Sequence, residues 1–216
     1  MISKLHYITQ ELPGKSHVQL AEEACASGVD WVQLRVKNKP YTDWKQIALE
    51  TLAVCKKYKA KLIINDNVSL VKEIGADGVH LGKEDISIAE ARKILGNNFI
   101  IGGTANTFED IKVHAAAGVN YIGLGPFRFT STKEKLSPIL GTEGYKSINE
   151  KCKSANICIP IIAIGGITVN DISEILETSI YGVAVASVIT NAENKLDTIK
   201  ELIKALNTKS KLFIRQ

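Results

Sequence analysis

The stretch Ala26-Ser27-Gly28-Val29-Asp30-Trp31-Val32-Gln33-Leu34-Arg35-Val36-Lys37 decides the fold. It opens on the end of an amphipathic run in which Val18, Leu20, Ala21, Ala24 and Cys25 recur at helical spacing. Gly28 supplies the left-handed residue on which a helix stops. From Trp31 onward the residues read as a strand, with neighbours pointing to opposite faces. The order of helix end, glycine, polar residue and strand returns at Gly75-Ala76-Asp77-Gly78 and at Ala116-Ala117-Gly118-Val119-Asn120. Working outward, strands are predicted at Leu5–Thr9, Trp31–Val36, Lys61–Asp66, Gly78–Gly82, Phe99–Thr104, Tyr121–Pro126, Pro160–Gly166 and Gly182–Ser187. Helices are predicted between and after them at Val18–Ser27, Trp44–Tyr58, Val68–Ile74, Ile86–Leu95, Phe108–Ala117, Tyr145–Lys151, Val169–Leu176 and Leu196–Leu206.

Strand–helix units in one uninterrupted series imply an α/β fold with a parallel sheet, and eight of them close a barrel. The expected architecture is a single-domain (β/α)8 TIM barrel over residues 1–216, with 207–216 as a tail that frays or covers one barrel end. A doubly wound open sheet is the rival. Against it, Thr9-Gln10-Glu11-Leu12-Pro13-Gly14 stands after the first strand where a GxGxxG fingerprint would belong. One connection, Phe127–Thr142, is long enough to suggest a functional loop.

Composition narrows the function classes. With 45% hydrophobic and 23% charged residues, the 216-residue chain is no disordered protein. Sixteen glycines and five prolines exclude a collagen-like chain. The net charge of +4 contains no block of five like charges, which argues against nucleic acid or a membrane surface as partner. No apolar run approaches the ~18–20 residues of a membrane span. Met1-Ile2-Ser3-Lys4 leads into a strand, not a signal peptide. Cys25, Cys55, Cys152 and Cys158 show no CxxC spacing and read as reduced thiols, so a cytoplasmic location is expected.

In a parallel barrel the active site lies at the C-terminal ends of the strands. In strand two, Val32, Leu34 and Val36 should face the helices, and Gln33, Arg35 and Lys37 the barrel axis or its mouth. Cations at such a place need anionic partners. A phosphate or diphosphate would satisfy them; an internal salt bridge to barrel carboxylates is the alternative. Strand three ends at Asn65-Asp66 and strand four at His80-Leu81-Gly82-Lys83-Glu84-Asp85. Asp66 and Asp85 converging near the cations suggest Mg²⁺ bridging to phosphate oxygens; as ordinary residues they would cap the next helices. His80 reads first as a packed, hydrogen-bonded residue, and His6, His17 and His114 as incidental. Thr104 offers a hydroxyl to a phosphate or a cap to the helix near Thr107. Thr130, Ser131, Thr132 and Lys133 supply three hydroxyls and a cation on the long connection. Gly165-Gly166 and Ala186-Ser187 end the last two strands, where such barrels often bind a monophosphate. Two anion sites at one mouth suggest a barrel that joins or processes two phosphorylated small molecules.

Gln33-Leu34-Arg35-Val36-Lys37, Asn65-Asp66, His80 through Asp85, Gly123-Leu124-Gly125-Pro126, Thr130 through Lys133 and Ala163-Ile164-Gly165-Gly166-Ile167, in this order, resemble the thiamine-phosphate synthase (thiamine-phosphate pyrophosphorylase) family. The resemblance implies loss of pyrophosphate from a hydroxymethylpyrimidine diphosphate by a dissociative path. The ring nitrogen of a thiazole phosphate, or of its carboxylate form, captures the freed methylene. No general base is obvious, which fits a reaction driven by leaving-group departure. Carried over by position, Gln33, Leu34, Arg35, Val36, Lys37, Asn65, Thr104 and Lys133 would meet the pyrimidine diphosphate. Arg35, Lys37 and Lys133 would act catalytically on its departing charge, and Asp66 and Asp85 would hold Mg²⁺. Thr130, Ser131, Thr132, Gly166, Ala186 and Ser187 would meet the thiazole phosphate. A homodimer is the assembly the resemblance allows.

Departures accompany it. Lys83 stands where the family commonly has Gln, Thr104 where it has Ser, Asn106 where it has His and Phe129 where it has Pro. Ala186 is smaller than the usual branched residue. Lys83 would add charge beside the metal site, and Phe129 would alter the loop. The competing readings are a thiazole tautomerase of the same superfamily, a phosphosugar isomerase or epimerase, and a barrel that binds thiamine phosphate without turnover.

Overall fold

A computed structural model describes residues 1–129 and 138–208. Its strands are β1 (Leu5–Ile8), β2 (Trp31–Leu34), β3 (Lys61–Asn65), β4 (Gly78–Leu81), β5 (Ile100–Ala105), β6 (Tyr121–Leu124), β7 (Ile161–Ile164) and β8 (Gly182–Val185). All neighbours are parallel, and β8 pairs with β1 to close the barrel. Around it run α1 (His17–Ala26), α2 (Tyr41–Lys57), α3 (Val68–Ile74), α4 (Ile88–Leu95), α5 (Phe108–Ala116), α6 (Gly141–Ser154), α7 (Ile172–Glu177), α8 (Ser187–Thr190) and α9 (Lys195–Thr208). A single 3-10 turn, Val169–Asp171, leads into α7.

The strands are covered on both faces, as a parallel sheet requires. One apolar layer lies between strands and helices and contains Val32, Leu34, Leu62, Ile64, Val79 and Leu81. The other fills the barrel with Ile8, Trp31, Ile63, Tyr121, Ile162 and Ala184. The alternation expected in β2 is therefore observed: Val32 and Leu34 turn outward, while Trp31 turns inward and Gln33, the next residue on that face, is also buried.

The repeated glycine-plus-polar signature has a physical explanation. Gly28, Gly75 and Gly118 take positive φ and turn the chain off the preceding helix. The polar residue that follows fastens the barrel floor. Asp77 Oδ2 accepts from Leu62 N at 2.9 Å, Asn120 Oδ1 accepts from Ile101 N at 2.8 Å, and Asp30 accepts from Ser3 Oγ at 2.6 Å. At the opposite end, Ser16, Ser87 and Thr107 close capping boxes with Gln19, Glu90 and Asp110, and Asn67 caps α3.

Helix ends depart from the expected spans by a few residues, as at α2, which begins at Tyr41 and not Trp44. Helix α6 begins at Gly141, four residues before the first apolar position that marks it, and the short α8 was not foreseen. The C-terminal helix extends to Thr208; the rest of the expected tail lies outside the described residues.

Candidate active site at the barrel mouth

Parallel closure brings all eight strand ends to one mouth. Gln33 is buried inside the barrel, and its amide donates to Asn65 Oδ1 at 2.6 Å. The Asn65 side chain lies beside the Asp66 carboxylate and favours its charged form. Arg35 N donates to Thr9 Oγ1 at 3.1 Å, and the same hydroxyl contacts His17 Nδ1 at 2.9 Å. His17 thus braces the backbone of Arg35 through Thr9, a role its sequence position did not suggest. Lys37 is exposed at the rim. Leu34 points into the helix layer and Val36 packs against it, so these two can offer a ligand only their main chain.

Asp66 and Asp85 meet. Asp66 stands at φ +68°, a left-handed conformation that few residues other than Asn, Asp and Gly tolerate. Its N–H donates to His80 O at 2.9 Å, tying the end of β3 to β4. Loss of water around the Asp66 carboxyl pushes its pKa up to about 6, and the hydrogen-bonded carboxyl of Asp85 pushes the same way; Asn65 and the Arg35 charge oppose them. Asp85 is anchored by Gly82 N, which donates to Oδ2 at 2.6 Å. The capping alternative fails for both. Asn67 caps α3 and Ser87 caps α4, each with its own side-chain oxygen.

Two carboxyls in contact, with only a shared proton or a cation able to relieve them, fit a divalent ion. Among the described residues no group of three or more His, Cys, Asp and Glu could hold a metal ion. A divalent ion here would have these two carboxylates as its acidic ligands and would take the rest from substrate phosphates or water, a donor set Mg²⁺ accepts. Arg35 acts on Asp66, so the internal-pair reading and the anion-binding reading meet in the same side chain.

Thr104 does not cap α5, because Thr107 does. Its hydroxyl lies 3.0 Å from His80 Nε2, and His80 Nδ1 lies 3.0 Å from Tyr121 Oη. His80 is thus a packed, hydrogen-bonded residue as expected, but one connected to a candidate ligand group. His114 Nε2 meets Thr104 O at 3.0 Å. Lys83 departs from expectation: its ammonium pairs with Asp110 at 2.7 Å. Burial alone would raise the Asp110 pKa; Lys83 and the amides of Asn106 and Thr107 outweigh it and hold the carboxyl low.

The second candidate turn is shaped by glycine. Gly165 and Gly166 sit at φ +99° and +69°. A Cβ on Gly166 would lie 2.4 Å from Arg128 Cγ and 2.8 Å from Phe129 O. Arg128, half-exposed and pairing with Asp171 at 2.5 Å, was missed by sequence reasoning. Its position directly before the Thr130–Thr132 hydroxyls was the available signal. Ala186 is half-buried and Ser187 exposed at the end of β8. Thr130, Ser131, Thr132 and Lys133 lie outside the described residues.

The profile described as thiamine monophosphate synthase matches residues 5–189. A thiamine-phosphate synthase of Flavobacterium johnsoniae is 53% identical over 209 residues, covering 97% of both chains. Another from Phocaeicola vulgatus is 50% identical over 200 residues, covering 93% of this chain and 96% of the relative. The solved thiamine phosphate pyrophosphorylase from Pyrococcus furiosus superposes with a TM-score of 0.83 at 32% identity, covering 94% of this chain and 95% of that one.

Proposed function

The chain belongs to the thiamine monophosphate synthase family, and on that premise we propose that it condenses 4-amino-2-methyl-5-hydroxymethylpyrimidine diphosphate with 4-methyl-5-(2-phosphoethyl)thiazole, or its carboxylate form. The products are thiamine phosphate and pyrophosphate, joined by carbon dioxide when the carboxylate form is the substrate. The carbon–oxygen bond to diphosphate breaks with its electron pair leaving on pyrophosphate, and the thiazole nitrogen supplies the pair of the new carbon–nitrogen bond.

The observation that carries this reading is the contact between Asp66 and Asp85 beside Arg35. Asp66 and Asp85 would hold Mg²⁺, which when bound supplies positive charge to the diphosphate oxygens. Arg35 and Lys37, with Lys133, stabilise the charge that develops on the leaving group. Gln33 and Asn65, locked to one another, present amide groups to the pyrimidine diphosphate, together with the Thr104 hydroxyl and the main chain of Leu34 and Val36. The Gly166 turn, Ala186 and Ser187, with Thr130, Ser131 and Thr132, receive the thiazole phosphate. A thiazole tautomerase would have no use for facing carboxylates among rim cations.

The same reading includes the cytoplasm and a homodimer. The first is supported by four cysteines free of disulfides, three of them buried; no helix of the described residues is long and apolar enough to cross a membrane. The second is carried from the family resemblance, and sedimentation decides it.

Turnover with both substrates tests the function. Equal amounts of thiamine phosphate and pyrophosphate, abolished by excess EDTA and restored by Mg²⁺, are expected. Full turnover in excess chelator would reject the metal role. Conversion of the thiazole carboxylate without pyrophosphate release would favour the tautomerase.

A further inference from the structure

Inside the barrel, Tyr121, His80 and Thr104 form one hydrogen-bonded line that reaches the mouth. They come from β6, β4 and β5, and neighbouring strand positions without side chains make room for them. A Cβ on Gly102 would lie 2.1 Å from Tyr121 Cζ, and one on Gly123 would lie 3.0 Å from His80 Cε1.

The direction of this line follows from donor counting. A neutral imidazole has one N–H and one lone pair. Tyr121 is fully buried, and burial pushes its pKa up, so the phenol keeps its proton. Among the described residues, His80 Nδ1 is the acceptor within reach of that proton. Donation by Tyr121 makes Nδ1 the acceptor and places the imidazole proton on Nε2. Nε2–H then donates to Thr104 Oγ1, leaving the threonine proton directed elsewhere. The opposite polarity would strand a buried phenol proton without an acceptor, which is costly. It would also turn the Thr104 proton inward and present only oxygen lone pairs to an anion.

We propose that Tyr121 is a positioning residue that holds His80 as its Nε2-protonated tautomer and thereby aims the Thr104 hydroxyl proton at the diphosphate. The proposal rests on the reading above that Thr104 meets the diphosphate.

The test combines a tautomer measurement with kinetics. In ¹⁵N-histidine NMR of the ligand-free chain, His80 should carry its proton on Nε2. In Tyr121→Phe, which keeps the ring, that single-tautomer signature should be lost. The variant should lose about tenfold in kcat/KM for the pyrimidine diphosphate, the scale of one hydrogen bond, with KM for the thiazole phosphate unchanged. In a Thr104→Val background the Tyr121→Phe change should have no further effect. Nδ1 protonation of His80 in the unaltered chain would overturn the proposal, as would an equal Tyr121→Phe loss in both backgrounds. Should Tyr121→Phe fail to fold, the wild-type tautomer decides alone. Should the wild-type chain not turn over, the functional reading fails and the tautomer still decides this one.

Discussion

Arg128 Nη2 lies 2.5 Å from Asp171 Oδ1, joining the segment after β6 to the turn before α7. Asp171 is buried, and its second oxygen accepts from Thr168 N at 2.7 Å and Thr168 Oγ1 at 2.8 Å. Arg128 is therefore held from one side by a fully engaged carboxylate while its stem covers Gly166. Its remaining N–H donors are placed beside the turn assigned to the thiazole phosphate. Arg128→Met keeps the stem and removes the charge. We expect KM for the thiazole phosphate to rise about fivefold, equivalent to roughly 1 kcal/mol, with KM for the pyrimidine diphosphate unchanged. Steady-state kinetics with each substrate varied in turn checks this; equal increases in both would make Arg128 a general structural support.

Gly166→Ala tests the same turn through the backbone. Its φ of +69° and the 2.4 Å approach to Arg128 Cγ leave no place for a methyl group. A left-handed alanine costs about 1–2 kcal/mol before any neighbour moves. Urea unfolding should show at least that loss, and thiazole phosphate affinity should fall more than tenfold by the scale of about 1.4 kcal/mol per decade. Undiminished stability and affinity would show that the turn accepts a side chain.

Because Asn67 and Ser87 are the helix caps, the Asp66 and Asp85 carboxylates are not needed to start α3 and α4. Asp66→Asn tolerates the left-handed backbone and offers Asp85 a donor in place of a repelling charge. Each of Asp66→Asn and Asp85→Asn should lower kcat/KM about 100-fold or more, from loss of several kcal/mol of metal-assisted charge stabilisation. Asp66→Asn should unfold at the same urea concentration as wild type or a higher one. Near-normal turnover in both variants would remove the carboxylates from the chemistry.

His6 predicts an acid limb. It is buried in the barrel, stacked on Trp31 at 4.3 Å between centroids, and burial pushes its pKa down to about 3. The unfolded chain protonates this residue near 6.5. Its contribution is complete above that value. Below it the unfolded state binds a proton that the fold refuses, so stability falls by about 1.4 kcal/mol per pH unit until the pH nears 3. His6→Phe preserves the stack and should flatten the plot of urea stability against pH by that slope between these limits. Superimposable plots would assign the acid sensitivity to other groups.

Local signals in the sequence specify the barrel. Apolar spacing fixed the strands within about two residues, and the Gly-plus-polar repeats marked where helices give way to strands. Gln33 was legible because alternation along β2 says which side chains enter the barrel, and Asn65 and Asp66 because they end the third strand at the mouth. Caps were harder. Asp66 lies one residue before the true cap and Asp85 two before it, and several polar residues in a row look alike to a spacing rule. Links across the chain were not legible at all. Tyr121 lies 41 residues from His80, and Arg128 lies 43 from Asp171. Nothing near Lys83 in sequence says that Asp110 neutralises it. Those pairings depend on barrel register, which places β4 beside β5, β5 beside β6 and β6 beside β7.

Calorimetric titration of pyrophosphate, with and without Mg²⁺, measures most directly whether the facing carboxylates recruit a divalent ion to a diphosphate. The account predicts binding that Mg²⁺ strengthens at least about tenfold, or ~1.4 kcal/mol, in the wild-type chain and not in Asp66→Asn. Pyrophosphate affinity indifferent to Mg²⁺, or enhanced equally in the variant, would contradict it.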